Sequence, residues 1–236
     1  MSVSGLRLDL HNHTAFSADG LMSPATLLEA AKAQGIDYVA VTDHNTIQGA
    51  LQAVALADAD PSLPRVIPGV ELSTADGEII GLYVRESIPV GLPVAEAISR
   101  IREQGGLVYL PHPYDRLRRG TISPGQRSRT AELADIVEVV NGRSLGPRSS
   151  GKATRLARRL GKPGGAGSDA HRKAQVGLAY VVVAAHPSRD TLIALISAGF
   201  VEHGLSPREY TLNWGLQGLS PVTRVRRRVM GSLARR

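Results

Sequence analysis

The chain has 236 residues, 42% of them hydrophobic, with a formal net charge of +7 and no cysteine. That length suits one large domain with a sizeable core, and the missing cysteine excludes disulfides, iron–sulfur clusters and Cys-ligated zinc. Six arginines between Arg224 and Arg236 carry six of the seven excess charges, so the rest of the chain is nearly neutral and offers no uniformly basic nucleic-acid surface. No apolar run approaches a membrane span and no leader pattern opens the chain, so a cytoplasmic protein is expected.

The first apolar run, Leu6 to Leu10, reads as a strand and is followed by His11-Asn12-His13. Residues two apart on a strand share a face, so His11 and His13 present two imidazoles side by side, with Asp19 following in a turn closed by Gly20. Ser23-Pro24 is an N-cap followed by proline at the first helical position, with Leu27, Leu28 and Ala31 as the apolar stripe and Gly35 as the stop. Ile36 to Val41 is a strand ending at Thr42-Asp43-His44-Asn45, and a helix runs from about Thr46 to Ala57.

The alternation continues. Arg65 to Val70 is a strand ending at Glu71, Glu78 to Val84 another, and Pro93 to Gln104 a helix. Leu107 to Leu110 is a strand ending at Pro111-His112-Pro113, after which Arg116, Arg118, Arg119, Arg127 and Arg129 punctuate an irregular basic segment. Ile136 to Val140 is a strand ending at Asn141-Gly142-Arg143, Ser150 to Leu160 a basic helix, and Gly164 to Gly167 leads into Ser168-Asp169-Ala170-His171. Ala179 to Ala184 is a strand and Arg189 to Ala198 a helix.

Alternating strands and helices predict βαβ units, a mainly parallel sheet, and with this many strands a closed α/β barrel. The polar residues fall at strand ends: His11, His13, His44, Glu71, His112, Asn141, Asp169 and His171. In a parallel barrel those ends meet on one face. Five of the seven histidines are among them, and the other two, His186 and His203, read as surface or packing residues. With Asp19, Glu71 and Asp169 the five histidines make eight nitrogen and oxygen donors. A mononuclear catalytic site needs about three, so two or three divalent ions sharing bridging groups are expected. Three divalent ions set against three carboxylates and one hydroxide leave about two positive charges, the complement of a phosphate dianion.

His11-Asn12-His13, Asp19, Thr42-Asp43-His44, Gly69-Val70-Glu71, Pro111-His112-Pro113 and Ser168-Asp169-Ala170-His171 together resemble the successive motifs of the PHP (polymerase and histidinol phosphatase) family, over roughly Leu6 to Ala184. The resemblance implies a distorted (β/α)7 barrel over residues 1–205, with a C-terminal extension at 206–236. It also implies a trinuclear metal centre at the C-terminal strand ends, and phosphoesterase activity with a metal-bridging hydroxide as nucleophile. By motif, His11, His13, Glu71 and Asp169 would hold one ion. Glu71 would bridge to a second that also takes His112, and Asp19, His44 and His171 would hold the third. Manganese, zinc and iron all suit such mixed donors.

Asp43, Asp169 and His171 are the candidate catalytic residues, Asp43 by orienting His44 or a leaving-group proton. Arg143, Asn141 and Arg116 are the candidate substrate-binding residues, Arg143 as a bidentate phosphate clamp. Asn141-Gly142-Arg143 also reads as a plain turn, and the basic segment also reads as a solvated loop. Only 41 residues separate Glu71 from His112, too few for a lid domain, so an open pocket is expected. The substrate is then a phosphorylated small molecule, nucleotide or oligonucleotide. Val225, Val229 and Leu233 space the tail for a basic amphipathic helix that would contact RNA or an anionic membrane, and the tail reads equally as solvated chain.

Two other functions fit parts of this pattern. An amidohydrolase-like C–N hydrolase also opens with His-x-His, but its binuclear members want a lysine at a strand end, and Lys32, Lys152, Lys162 and Lys173 occupy no such place. A catalytically silent nucleic-acid-binding barrel would have lost donors, and all eight are present.

Overall fold

The computed structural model describes residues 5–115, 120–144 and 147–203. Arg116, Arg118, Arg119, the boundary expected near residue 205 and the basic tail lie outside the described residues. The elements in order are β1 (Leu6–Asp9), α1 (Pro24–Ala33), β2 (Tyr38–Val41), α2 (Gln48–Ala59), β3 (Arg65–Thr74), β4 (Gly77–Leu82), α3 (Val94–Glu103) and β5 (Leu107–Leu110). They continue with α4 (Arg127–Leu133), β6 (Ile136–Asn141), α5 (Pro147–Arg159), β7 (Gly164–Gly167), β8 (Ala179–Val183), α6 (Leu192–Ala198) and β9 (Phe200–His203).

Seven strands form the ring, in the order β7-β6-β5-β4-β3-β2-β1. Its seam lies between β7 and the continuation of β1. Leu10 N donates to Ala166 O at 3.1 Å, Asp169 N to His11 O at 2.7 Å, and His13 N to Ala170 O at 2.9 Å. Gly167 makes this approach possible, because a Cβ there would run into the backbone and Cβ of His11. β1 pairs antiparallel with β8 through Leu6, Arg7 and Leu8, and β8 with β9, which adds a two-stranded extension to the barrel. The molecule is therefore a nearly closed, distorted α/β barrel.

Within the ring β1–β2, β2–β3, β5–β6 and β6–β7 are parallel, whereas β4 runs antiparallel to both neighbours. The sheet is thus less parallel than the alternation of elements implies, because β3 returns as β4 through a tight hairpin with no crossover helix. The strands are buried on both faces, as β2 and β5 show along their whole length. Helices cover the outside with apolar stripes: Val94, Ala97, Ile98 and Ile101 on α3 recur at helical spacing and are all buried. At the start of α1, Ser23 Oγ accepts from Thr26 N at 3.1 Å, and Gly35 takes φ +68° just past the end.

Four elements differ from expectation: β3 runs on through Glu71 to Thr74, so Glu71 lies within the strand, and β9 is an added strand after α6. Arg127–Leu133 is helical, within and beyond a stretch expected to be irregular. It buries only Thr130 and Ala131, and the Arg127 guanidinium packs over the Tyr114 ring at 4.5 Å. α5 begins at Pro147, three residues before Ser150. Among the described residues, no helix is long and apolar enough to cross a membrane.

Candidate metal centre

Two parallel segments build one wall of the site. His11 and His13 continue β1, Asp169 and His171 continue β7, and the period of two on each puts all four side chains on the inner face. Glu71 comes from β3, bridged at backbone level to His44 beyond β2. His112 follows β5. His112 and Asp169 have φ of 27° and 52°, a left-handed backbone that non-glycine residues adopt at a cost. Each is pinned there, His112 N by Glu138 Oε2 at 2.7 Å and Asp169 N by the carbonyl of His11.

The eight expected donors converge. His11 Nε2 and His13 Nε2 lie 3.1 Å apart, each 3.2 Å from Glu71 Oε2, and Asp169 Oδ1 is 3.8 and 3.4 Å from them. Glu71 Oε1 is 3.1 Å from His112 Nε2, and Glu71 Oε2 is 3.3 Å from His44 Nδ1. His171 Nε2 is 2.9 Å from Asp19 Oδ2, and His44 Nε2 is 3.8 Å from Asp19 Oδ1. Three groups have donor atoms within 4.8 Å of one another: His11, Glu71 and His112; His11, His13 and Asp169; and His13, His44 and His171.

These separations fit divalent ions. Two donors each about 2.1 Å from one ion lie about 3.0–3.4 Å apart. Two imidazole nitrogens facing each other at 3.1 Å have room for one proton between them, and a cation relieves the conflict. The all-nitrogen-and-oxygen set suits zinc, manganese or iron.

Electrostatics sort the donors. Burial alone would lower His11, but the charges of Asp169, Glu71 and Glu138 outweigh it and hold its pKa well above the usual imidazole range. Burial would raise Glu71, but His11, His112 and His13 hold it well below the usual carboxylate range. Burial lowers His44, and burial with the neighbouring His13 and Arg143 pushes His171 down to about 4. Both are neutral at pH 7 and free to ligate. The side chains of His11, His13, Glu71, His112 and Asp169 are at most 1% exposed, whereas Asp19 is 55% and His44 26% exposed, so the mouth lies at Asp19 and His44.

Arg143 reaches this mouth. Its Nη1 is 2.8 Å from His171 Nδ1 and 3.4 Å from Asp169 Oδ1, with the side chain 30% exposed. Asn141, expected to bind substrate, is buried and spans two carboxylates, its Nδ2 donating to Asp169 Oδ2 at 3.1 Å and to Glu138 Oε2 at 3.0 Å. It positions Asp169. Asp43, expected to orient His44 or a leaving-group proton, lies behind the histidines. Its carboxylate is fully buried and accepts from Thr14 N at 2.6 Å, Thr14 Oγ1 at 2.7 Å and Ser17 Oγ at 2.7 Å. Ser17 Oγ in turn accepts from His44 N at 2.9 Å and sits 3.2 Å from His13 Nδ1, so Asp43 orients two histidines through a hydroxyl.

Two carboxylates escape the strand-end pattern. Glu138 lies inside β6, fully buried, 3.2 Å from His11 Nδ1 and accepting from Tyr109 OH at 3.0 Å. A lone charge in the apolar run Ile136 to Val140 is the signal that marks it. Glu78, at the start of β4, places its oxygens 3.8 Å from His44 Nδ1 and from His112 Nε2. Burial and the neighbouring Glu71 raise its pKa to about 7. Of the two remaining histidines, His186 bonds Tyr38 OH through Nδ1 at 2.9 Å, away from the centre.

A family model described as PHP-associated matches residues 147–201. Two uncharacterized proteins of Methanocaldococcus jannaschii are similar: one is 40% identical over 146 residues, 58% of this chain and 82% of that protein, and the other 35% identical over 179 residues, 75% of this chain and 70% of that protein. A 5'-3' exoribonuclease of Salmonella typhimurium is 31% identical over 139 residues, 57% of this chain and 45% of the enzyme. Among solved structures, a Bifidobacterium adolescentis protein described provisionally as a metal-dependent phosphoesterase superposes with a TM-score of 0.58 at 19% identity, covering 70% of this chain and 88% of that one.

Proposed function

This chain belongs to the PHP family, and we propose that it is a metal-dependent phosphoesterase acting on nucleotides or oligonucleotides. The observation that carries the reading is the convergence of eight nitrogen and oxygen donors at separations suited to shared ions. Phosphate as the target follows from the excess positive charge such a centre would hold and from Arg143 at its mouth. The nucleic-acid class is favoured by the relatives named 5'-3' exoribonuclease, of whose length this chain spans about half.

His11, His13, Glu71 and Asp169 would hold one ion, Glu71 and His112 a second, and Asp19, His44 and His171 a third. Bound divalent ions would supply hydroxide at neutral pH and neutralise charge building on the phosphoryl oxygens. The Arg143 guanidinium, anchored by Asp169, would hold a non-bridging phosphate oxygen and turn the ester toward the buried donors. Asp169 Oδ1 neighbours both Arg143 and the His11/His13 pair, where it would take the proton of the attacking water. Between Glu71 and His112 the chain is filled by the rest of β3, β4, α3 and β5. The leaving group would therefore depart through the open mouth at Asp19 and His44, protonated from solvent.

The test is metal analysis of the purified protein, with the same sample run against a phosphomonoester, nucleotides and 5'-phosphorylated oligoribonucleotides. Turnover that vanishes on chelation and returns with manganese, zinc or iron is expected. Undiminished turnover in a metal-stripped sample, or none on any substrate in a metal-replete one, would overturn the reading.

A further inference from the structure

Charge is spread unevenly over the barrel. Between Glu138 and Asp169 the sequence has no acidic residue but seven basic ones, five of them on α5. Arg148, Lys152, Arg155 and Arg159 recur at i, i+4, i+7 and i+11, a spacing that aligns them along one side of a helix, and all four are exposed. Ala153, Leu156 and Ala157 lie on another side and are buried where α5 packs on β6. Among the described residues no carboxylate pairs with any of the four cations. An ordinary solvated helix face in this protein looks different: on α3, Arg100 sits between Glu96 at 3.7 Å and Glu103 at 3.3 Å.

The stripe begins beside the metal centre. α5 is the crossover from β6 to β7, so it starts at the strand ends that carry Asn141 and Arg143 and descends the outside of the barrel. Ser149 and Ser150, near its start, line a crevice with His112, Asn141 and Ser144, and Ser149 Oγ donates to Tyr114 O at 3.3 Å. Arg148 follows Arg143 by five residues, and from there to Arg159 the stripe extends about 16 Å along the helix.

A row of unpaired cations of that length matches a row of phosphates. A mononucleotide held at the mouth by Arg143 would leave the stripe unused, whereas a longer strand would continue onto it. A lipid surface is the other extended anionic partner, and α5 is not built for it. A helix that lies on a bilayer inserts its apolar face, and that face of α5 is already spent against the barrel.

We propose that Arg148, Lys152, Arg155 and Arg159 form a track for the phosphodiester backbone of a single-stranded nucleic acid whose terminal phosphoester lies in the metal centre. Contacts to phosphates carry no base sequence, so the track sets strand length and salt sensitivity. The inference rests on the phosphoesterase reading and deepens it, and it is read by binding without turnover so that the two can fail separately.

The experiment is fluorescence anisotropy of the full chain, treated with a chelator, with 3'-labelled single-stranded oligoribonucleotides of about 3 and about 12 nucleotides over a range of salt. Wild type is compared with Lys152→Gln/Arg155→Gln and Lys152→Glu/Arg155→Glu. Both positions are exposed, so circular dichroism and melting temperature should match in all three proteins. The arginines between Arg224 and Arg236 are common to them, so any difference reports α5. Wild type should bind the longer strand more tightly than the shorter. The glutamine pair should bind the longer strand about tenfold more weakly, with a salt slope smaller by about 1.4, two contacts at about 0.7 each. The glutamate pair should bind it more weakly still. Equal affinity and slope in the three folded proteins overturn the track, whatever the enzyme hydrolyses. A wild type that binds phosphatidylserine vesicles and neither oligoribonucleotide overturns it in favour of a lipid surface. If the variants lose the longer strand and the metal-replete wild type turns over no phosphoester, the track stands and the phosphoesterase reading falls.

Discussion

The Glu138 carboxylate lies 3.2 Å from Nδ1 of His11, on the far side of the ring from the nitrogen that faces His13 and Glu71. A carboxylate behind a ligating imidazole fixes its tautomer and orientation and raises its basicity. Here the same carboxylate also holds His112 N, Tyr109 OH and Asn141 Nδ2. Glu138→Gln should therefore weaken metal binding by about 10–100-fold, although residue 138 touches no ion. Metal-buffered titration with circular dichroism checks it: unchanged affinity in a folded variant would remove Glu138 from the support of the centre.

Asp43 is expected to behave as a positioning residue. Its three hydrogen bonds hold Thr14 and Ser17, and Ser17 holds His13 and His44. Asp43→Ala leaves buried donors without an acceptor, a loss of about 1.5–3 kcal/mol for each bond to a charged group. The melting temperature and metal affinity should both fall. Asp43→Asn should lower kcat while leaving the basic limb of the pH–rate profile where it was; disappearance of that limb would restore Asp43 as a proton donor.

How much of this was legible in the chain follows from where each residue stands. His11, His13, His44, Glu71, His112 and Asp169 each lie at or just beyond the end of an apolar run, and a strand's period fixes which of them share a face. The barrel and the convergence follow from that. Glu138 and Glu78 do not stand out in this way, one being inside a strand and the other at a strand's beginning. Glu78 reaches the centre only because β4 runs opposite to its neighbours, so that its first residues lie level with the ends of the others. That reversal depends on a hairpin, which a pattern of alternating elements does not distinguish from a crossover. α4 is obscured for another reason: with only Thr130 and Ala131 buried, it shows no apolar stripe.

Arg143 should act on substrate and not on metal. Its Nη1 is anchored by Asp169 Oδ1 at 3.4 Å and lies beside the His171 ring, which leaves the rest of the guanidinium at the mouth. Arg143→Lys keeps the charge but loses the planar fork. A lost charge-assisted hydrogen bond of about 1.5–3 kcal/mol corresponds to a fall in kcat/KM of roughly 10–150-fold. Ion content should be unchanged. Loss of an ion together with activity would instead make Arg143 part of the scaffold of the centre.

The pH dependence should invert when metal is bound. In the metal-free protein His11 is held well above its usual pKa by Asp169, Glu71 and Glu138, against the opposing effect of burial, while Glu71 is held well below its own by His11, His112 and His13. A raised imidazole contributes stability that is fully present below its unfolded pKa and lost as pH rises through its folded one. The His11–Glu71 ion pair should therefore make the chelated protein less stable as pH climbs through the His11 pKa. A metal ion needs the neutral ring, so binding must displace that proton, and affinity should climb with pH over the same range. His44 and His171, both lowered, have no proton to release at pH 7. Two measurements check this: melting temperature against pH with and without Mn²⁺, and calorimetry in buffers of different ionisation enthalpy, where net proton release is expected at pH 7. Proton uptake, or a metal-free protein whose stability is flat across the titration of His11, would show that the imidazole does not carry the charge its surroundings favour.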